Sequence, residues 1–482
     1  MDYEVLIVGG GIAGAYTALC LNEDIKVLLI TKDNLKNCNT DLAQGGISCV
    51  MDKDDSFELH IEDTLKAGRQ TNNLDMLKIM VEEGPKNLEN LIKWGVPFDR
   101  TSVGELDLTL EGGHSKRRIA HVKDKTGEAV LDKLIEKLRQ KGNIDILENT
   151  LFTGGNKESD GFVANLIRED KKASIRVKNI VLATGGIGRI YKNTTNSSIA
   201  TGEAMIFAKE FGVGLKKLSS IQFHPTAFYE MGDSRFLISE SLRGEGAILK
   251  NSYEESFMES YDDRGSLAPR DVVSSSMVME MKKYKEEHLY LDIRGESEEF
   301  LSKRFPKIYT ECLKRGINIS KDLIPVSPCQ HYFMGGIEVD QNSKTKVDGI
   351  YGVGECSHTG VHGENRLASN SLLEGLVFGN RAALDINKNN RVFSRGEIVW
   401  EDKSHKGQKS IGQDYKNAIR KIMDESYLVV FDRSRAKDGI KSLECLKMKL
   451  EASNFELDRD YYETRGMISL GLNILKEKID YV

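Results

Sequence analysis

Residues 2–21 read DYEVLIVGGGIAGAYTALCL, and their order decides the fold class. Four consecutive apolar residues, Val5 to Val8, form a short buried strand; three glycines interrupt it, and an Ala- and Leu-rich helix follows. Gly9, Gly11 and Gly14 fit G-x-G-x-x-G in the strand-to-helix context that the pattern needs. The first glycine permits the tight turn and the second lets backbone approach a pyrophosphate. The helix N-terminus then turns free N–H groups and a positive dipole end toward that phosphate. A dinucleotide site follows, rather than a packing turn.

Working outward, KVLLI (Lys26 to Ile30) is a second strand at the right distance. It ends in Thr31 and Lys32, where the generic fingerprint has an acid for a ribose hydroxyl, which weakens an NAD reading. NIVLATGGIGRIY (Asn179 to Tyr191) and VDGIYGVGEC (Val347 to Cys356) repeat the strand-then-glycine pattern, so both turns are expected to face the same cofactor. Between them lies a long stretch rich in polar motifs. The expected architecture is α/β: a Rossmann-like nucleotide domain (residues 1–215 and 333–394) interrupted by an inserted α+β capping domain (216–332). The active site would lie in the cleft between the two. From about residue 395 to 482 the apolar positions fall at three- and four-residue spacing, which predicts a helical C-terminal domain.

Composition narrows the class of function. At 482 residues the chain exceeds one ordinary core, and 39% hydrophobic with 29% charged residues describes a soluble globular protein. No run of about 18 apolar residues suggests a membrane span, and no basic leader precedes the first strand, so a cytoplasmic setting is expected. Seven scattered cysteines without C-x-x-C disfavour a disulfide scaffold, a metal site and an iron–sulfur cluster. A net charge of -6 with interspersed signs gives no footprint for nucleic acid.

Polar groups concentrate in IQFHPTAFYE from Ile221, SESLRGEGAIL from Ser239, RGSLAPRDVV from Arg264, SPCQHYFMGG from Ser327 and HGENRLASNSLLEG from His362. Each histidine or arginine alone reads as an ordinary structural residue. There is no Ser-His-Asp order and no zinc-like spacing. What remains is a set of arginines and imidazoles suited to a small dianion, because a guanidinium fork binds a carboxylate bidentately. Two such ends suit a four-carbon dicarboxylate.

With AQGGIS (from Ala43), EGGHSKRRIAH (Glu111 to His121), ATGG, FHPTA, LRGEGA, LAPRD, QHYFMGG and HGENRLASNSLLEG in order, residues 1 to about 390 resemble the flavoprotein family of succinate dehydrogenase and fumarate reductase. Within it they are most similar to the cytosolic branch that acts on L-aspartate. The resemblance implies FAD, held by Gly9, Gly10, Gly11, Ile12, Ala13 and Gly14, by Lys32, Asn39, Thr40, Gln44, Gly45 and Gly46, by Thr184, Gly185 and Glu203, and by Glu355, Ser371 and Leu372. Members that attach the flavin covalently carry a histidine where this chain has Asn39, so a noncovalent cofactor is expected.

The resemblance further assigns Arg270 as proton donor or acceptor, and His224, His331 and Arg366 to the carboxylates. Gln222, Ser239, Glu240 and Ser369 complete the pocket. Quinone-linked relatives usually have an aromatic residue where this chain has Glu111. An amino-acid substrate brings an ammonium that needs an anion, so Glu111 is assigned to it, with the neighbouring basic residues expected to keep it ionised. The implied reaction is flavin-dependent oxidation of L-aspartate to iminoaspartate. Oxygen (giving hydrogen peroxide) or fumarate (giving succinate) is the acceptor, and quinolinate synthase is the functional partner in NAD biosynthesis. A soluble fumarate reductase and a noncatalytic flavin-binding protein are the alternatives. Three departures from the family pattern stand out: Ser239 for threonine, Glu203 for aspartate, and an atypical close after Tyr461.

Overall fold

The computed structural model describes residues 2–230, 235–388, 398–402 and 409–481. Its centre is the strand Tyr3–Val8, which runs parallel to Val27–Ile30 on one side and to Lys171–Leu182 on the other. Ile144–Leu147 extends the parallel run beyond Val27–Ile30, and Ile350–Gly352 lies parallel to the last residues of Lys171–Leu182. The carboxyl ends of five parallel strands therefore gather along one edge, where a crevice forms in sheets of this kind. Thr150–Glu158, Gly161–Arg168 and the first half of Lys171–Leu182 form an antiparallel meander beside them.

Every residue of Tyr3–Val8 is buried, because both faces of the sheet are covered. Val5 and Ile7 face a core shared with the helices Ile12–Cys20, Leu74–Trp94, Thr126–Gln140 and Asn370–Lys388. Leu6 and Val8 point the other way, into a core shared with the meander, the helix Glu203–Glu210 and the C-terminal helices, which Tyr3 joins from the start of the strand, outside the alternation of Val5 to Val8. This is the period of two that a doubly covered strand imposes. The glycine turn is closely fitted: Gly9 has φ +115°, and a Cβ there would stand 2.2 Å from the Ala183 carbonyl oxygen. At Gly14 a Cβ would stand 2.1 Å from the Gly9 carbonyl oxygen, so the third glycine lets the helix lie against the turn.

A second, antiparallel sheet is built from Ile221–Phe228, Ile324–Phe333, Leu289–Asp292 and Ile248–Lys250, in that order across the sheet. It has its own apolar core with Leu242, Val273 and Met277 of neighbouring helices. The chain returns to the first sheet at Ile350–Gly352. The expected domain boundary between residues 394 and 395 lies outside the described residues. Beyond it, the helices Asp414–Ser426, Arg433–Ala452 and Arg459–Tyr481 pack on one another and on Glu203–Glu210. Among the described residues no helix is long and apolar enough to cross a membrane.

Candidate active site

One continuous cleft runs from the glycine turn to the second sheet. Of the predicted cofactor residues, Gly9 to Ala13, Lys32, Asn39, Thr40, Gln44 to Gly46, Thr184, Gly185, Glu203, Glu355, Ser371 and Leu372 line it. Gly14 does not reach the cleft; it packs against Gly9. The same cleft is lined at its other end by Glu111, His224, Ser239, Glu240, Arg270, His331, Arg366 and Ser369. Gln222 stands apart: it lines a separate cavity behind the site, with its side chain turned to Arg270, and so supports that arginine.

The cofactor end offers groups of the kind a dinucleotide needs. Thr40 Oγ1 accepts the Ile12 N–H at 3.0 Å, tying the loop to the start of the first helix. Asn39 Nδ2 donates to Glu355 Oε2 at 3.2 Å, and the Phe333 N–H donates to Glu355 Oε1 at 3.0 Å. Burial pushes the Glu355 carboxyl up to about 7 despite these donors. Gln44 donates to the Leu237 carbonyl at 2.6 Å, yet its buried Oε1 has no protein partner. An FAD fits this surface: Glu355 suits ribityl hydroxyls, the glycine turn suits a pyrophosphate, and Gln44 has an acceptor to spare. Lys32, which replaces the acid of the generic fingerprint, is itself held by acids. Its Nζ lies 2.7 Å from Glu203 and 3.0 Å from Glu463 of the C-terminal helix.

At the far end, His224 and His331 sit with ring centroids 4.9 Å apart. Burial, then the nearby Arg270, holds both imidazoles well below their usual range, so both are neutral. The Thr226 N–H donates to His224 Nδ1 at 3.2 Å, which places the proton on Nε2. That Nε2 is buried and has no protein partner, so it is a donor aimed at a ligand. Arg366 Nη2 lies 3.3 Å from His331 Nε2, and Thr195 Oγ1 lies 2.7 Å from Nδ1, fixing the second ring. Arg366 stacks 4.3 Å above the Tyr332 ring, and its buried Nε is likewise without a partner.

Arg270 begins the helix Arg270–Tyr284 and is 7% exposed. Its Nε donates to Glu240 Oε2 at 2.6 Å and its Nη1 to Gln222 Oε1 at 3.0 Å. Glu240 is in turn 3.2 Å from Arg243. Burial raises the Glu240 carboxyl, but Arg243 and Arg270 more than offset it, so Glu240 stays ionised.

Glu111 is 3% exposed, with Ser369 Oγ donating to one carboxylate oxygen and Ser241 Oγ to the other at 3.0 Å. Ser369 adopts φ +60°, a left-handed backbone that is costly for serine and persists where packing dictates it. A Cβ at Gly45 would stand 2.6 Å from Glu111, so the cofactor loop and this carboxylate adjoin. The expectation that neighbouring basic residues keep Glu111 ionised is corrected here. Arg118 turns away into a wholly buried pairing with Asp55 at 2.8 Å and Asp63 at 2.5 Å, and Arg117 is exposed. Glu111 is instead raised, by burial first and by Glu240, against the opposing pull of Ser369, Arg270 and Ser241.

Ser241, Arg243, Thr195, Asn196 and Tyr332 were not among the residues singled out from sequence, yet each holds one that was. Asn196 accepts from Asn39 at 3.0 Å and donates to the His331 carbonyl at 2.7 Å. Ser241 and Arg243 lie inside SESLRGEGAIL, whose i, i+2 and i+3 spacing on a short helix was the available signal. Thr195 and Asn196 lie in KNTTNSS, which carries no pattern that marks a site.

A family model described as an FAD binding domain matches residues 4–372. The chain is 44% identical over 397 residues to the L-aspartate oxidase of Clostridium acetobutylicum, covering 82% of this chain and 90% of the relative. It is 37% identical over 483 residues to that of Acinetobacter baylyi, covering 97% and 88%. Among solved structures, a mutated E. coli quinol fumarate reductase FrdA superposes with a TM-score of 0.88 at 28% identity, covering 100% of this chain and 88% of that one. The glycine turn, the cleft and these relatives agree: the chain belongs to the FAD-binding flavoprotein family of succinate dehydrogenase and fumarate reductase and, within it, to the L-aspartate oxidases.

Proposed function

We propose that this chain oxidises L-aspartate to iminoaspartate. The observation that carries the proposal is a buried carboxylate, Glu111, facing the same small pocket as Arg270, Arg366 and the unpartnered Nε2–H of His224. An aspartate has two anionic ends and one cationic amine, and the pocket has an opposite charge or a directed donor for each. His224 Nε2 and the free Nε of Arg366 take carboxylate oxygens, and His331, held by Thr195, orients Arg366. Glu111 takes the amine.

Bound FAD supplies the acceptor for the two electrons that leave the substrate. Oxidation of the Cα–N bond also releases a proton. Arg270 is the group assigned to it: its guanidinium already carries its full set of protons, so it passes its Nε proton to Glu240 Oε2, 2.6 Å away, as its other terminal nitrogen takes the one from the substrate, with Gln222 fixing Nη1. Glu240 and Arg243 continue from Arg270 to the Ser266 carbonyl, which Arg243 meets at 2.7 Å, so a displaced charge has polar partners. Ser239 borders the pocket and braces Ser241. Oxygen, giving hydrogen peroxide, or fumarate, giving succinate, completes the cycle. The proposal includes a noncovalent cofactor, a cytoplasmic setting and delivery of iminoaspartate to quinolinate synthase as the opening of NAD biosynthesis.

The test is anaerobic mixing of the FAD-loaded protein with L-aspartate. The yellow flavin absorbance is expected to bleach within the mixing series, while D-aspartate leaves it unchanged. Persistent colour with L-aspartate refutes the reaction.

A further inference from the structure

We propose that Ser241 is a positioning residue for recognition of the substrate amine, the last link of a two-serine relay that selects the ionised form of Glu111. The inference rests on the assignment of Glu111 to the amine.

The geometry sets the direction of each hydrogen bond. Ser239 Oγ accepts the Ser241 N–H at 3.2 Å, which leaves its own O–H to donate. The two serine oxygens are 3.1 Å apart, and Ser241 Oγ lies 3.0 Å from Glu111 Oε1. An ionised carboxylate only accepts, so Ser241 must donate to it, and Ser239 can donate to Ser241 in turn. Hydroxyls chained in this way polarise one another. All three side chains are buried.

Glu111 needs such help because its surroundings are mixed. Glu240 opposes its charge, Arg270 favours it, and the guanidiniums of Arg366 and Arg243 also sense it from two other segments. Gly45 and Gly46, from the cofactor loop, bring no charge to it. Ser369 supplies the other donor, but its oxygen also accepts the Gly46 N–H at 3.2 Å and its backbone is fixed at φ +60°. Ser241 has no comparable second duty in the cofactor loop, so it can be altered without moving that loop.

The experiment is a pH profile of kcat/KM for L-aspartate with the FAD-loaded protein, Ser241→Ala and Ser241→Thr. Loss of one hydrogen bond to a charged group predicts that the acid limb moves up by about one pH unit in Ser241→Ala. Thr, which keeps the hydroxyl, is expected to restore it. Fumarate has no amine, so its profile is expected to shift by less. Should Ser241→Ala fail to fold, Ser241→Cys, with its weaker donor, must show an intermediate shift. An unmoved acid limb, a shift equal for fumarate, or a defect that Thr does not rescue overturns the proposal. If the unaltered protein does not bleach with L-aspartate, the oxidase reading itself fails; bleaching with an unmoved Ser241→Ala limb defeats only the serine relay.

Discussion

Replacing Glu111 by Gln removes one charge and almost no volume, which makes it the sharpest perturbation of the pocket. Glu111 is 3% exposed, so an ammonium placed against it has left water. Removing one partner of a buried ion pair costs about 3 to 5 kcal/mol, because the survivor stays buried and unpaired. Gln keeps an oxygen that accepts from Ser241 or Ser369, so the lower end applies. A loss of about 3 kcal/mol is a fall on the order of a hundredfold in kcat/KM for L-aspartate. Fumarate reduction by the same variant, driven by an artificial donor, is expected to fall only a few fold. Steady-state peroxide release and fumarate consumption read the two activities. Equal losses would remove Glu111 from amine recognition and favour plain dicarboxylate redox. The variant also has a stability signature. Burial raises the Glu111 carboxyl, so its contribution to stability is present at acid pH and is lost as pH rises through its folded value. Above that pH the cofactor-free Gln variant should unfold no earlier than the parent, and an earlier transition contradicts the burial argument.

Glu355 gives a second pH effect: its carboxyl moves from 4.5 to about 7 on folding, an offset of roughly 3 kcal/mol that is lost between those two pH values as pH rises. Urea unfolding of cofactor-free Glu355→Gln should therefore show a weaker decline from pH 5 to pH 8 than the parent, and parallel declines would contradict it. Arg270→Ala is expected to bind FAD normally yet lose at least about a hundredfold in turnover; normal turnover in a stopped-flow assay removes it from the proton-handling role. With Asn39 in place of the histidine of covalent relatives, acid precipitation should leave the yellow colour in the supernatant. A coloured pellet would reveal a flavin linkage elsewhere.

Much of this was legible because short motifs encode local geometry. The spacing of Gly9, Gly11 and Gly14 dictates a turn that admits no side chain at Gly9 or Gly14, and the alternation along Val5 to Val8 follows from a sheet covered on both faces. Charge type was legible too: arginines and histidines from four segments, His224, Arg270, His331 and Arg366, meet in one cleft. What could not be read was the partner of each charge. Arg118 follows Glu111 closely in sequence, yet it closes on Asp55 and Asp63, because a guanidinium with no exposed surface must satisfy all its donors. Gln222 resembles a pocket residue in sequence, but a register shift between Gln222 and Phe223 interrupts the pleat that would put it on the face of His224, and it turns behind Arg270. Thr195 and Asn196 line the cleft themselves, held there by contacts with the strand Ile324–Phe333 and with Asn39 that no local pattern announces.

The grip on Lys32 has a temporal side. Its carbonyl accepts from Arg459, 427 positions later, at 2.9 Å, and its ammonium shares Glu463 with Lys416. During synthesis the glycine turn emerges early and waits, lacking these late-made neighbours, while nearly all the remaining sequence is translated. The mature placement of Lys32 is thus a late assembly event, and a ribosome stalled before residue 459 would carry a nascent chain in which Lys32 lacks these partners.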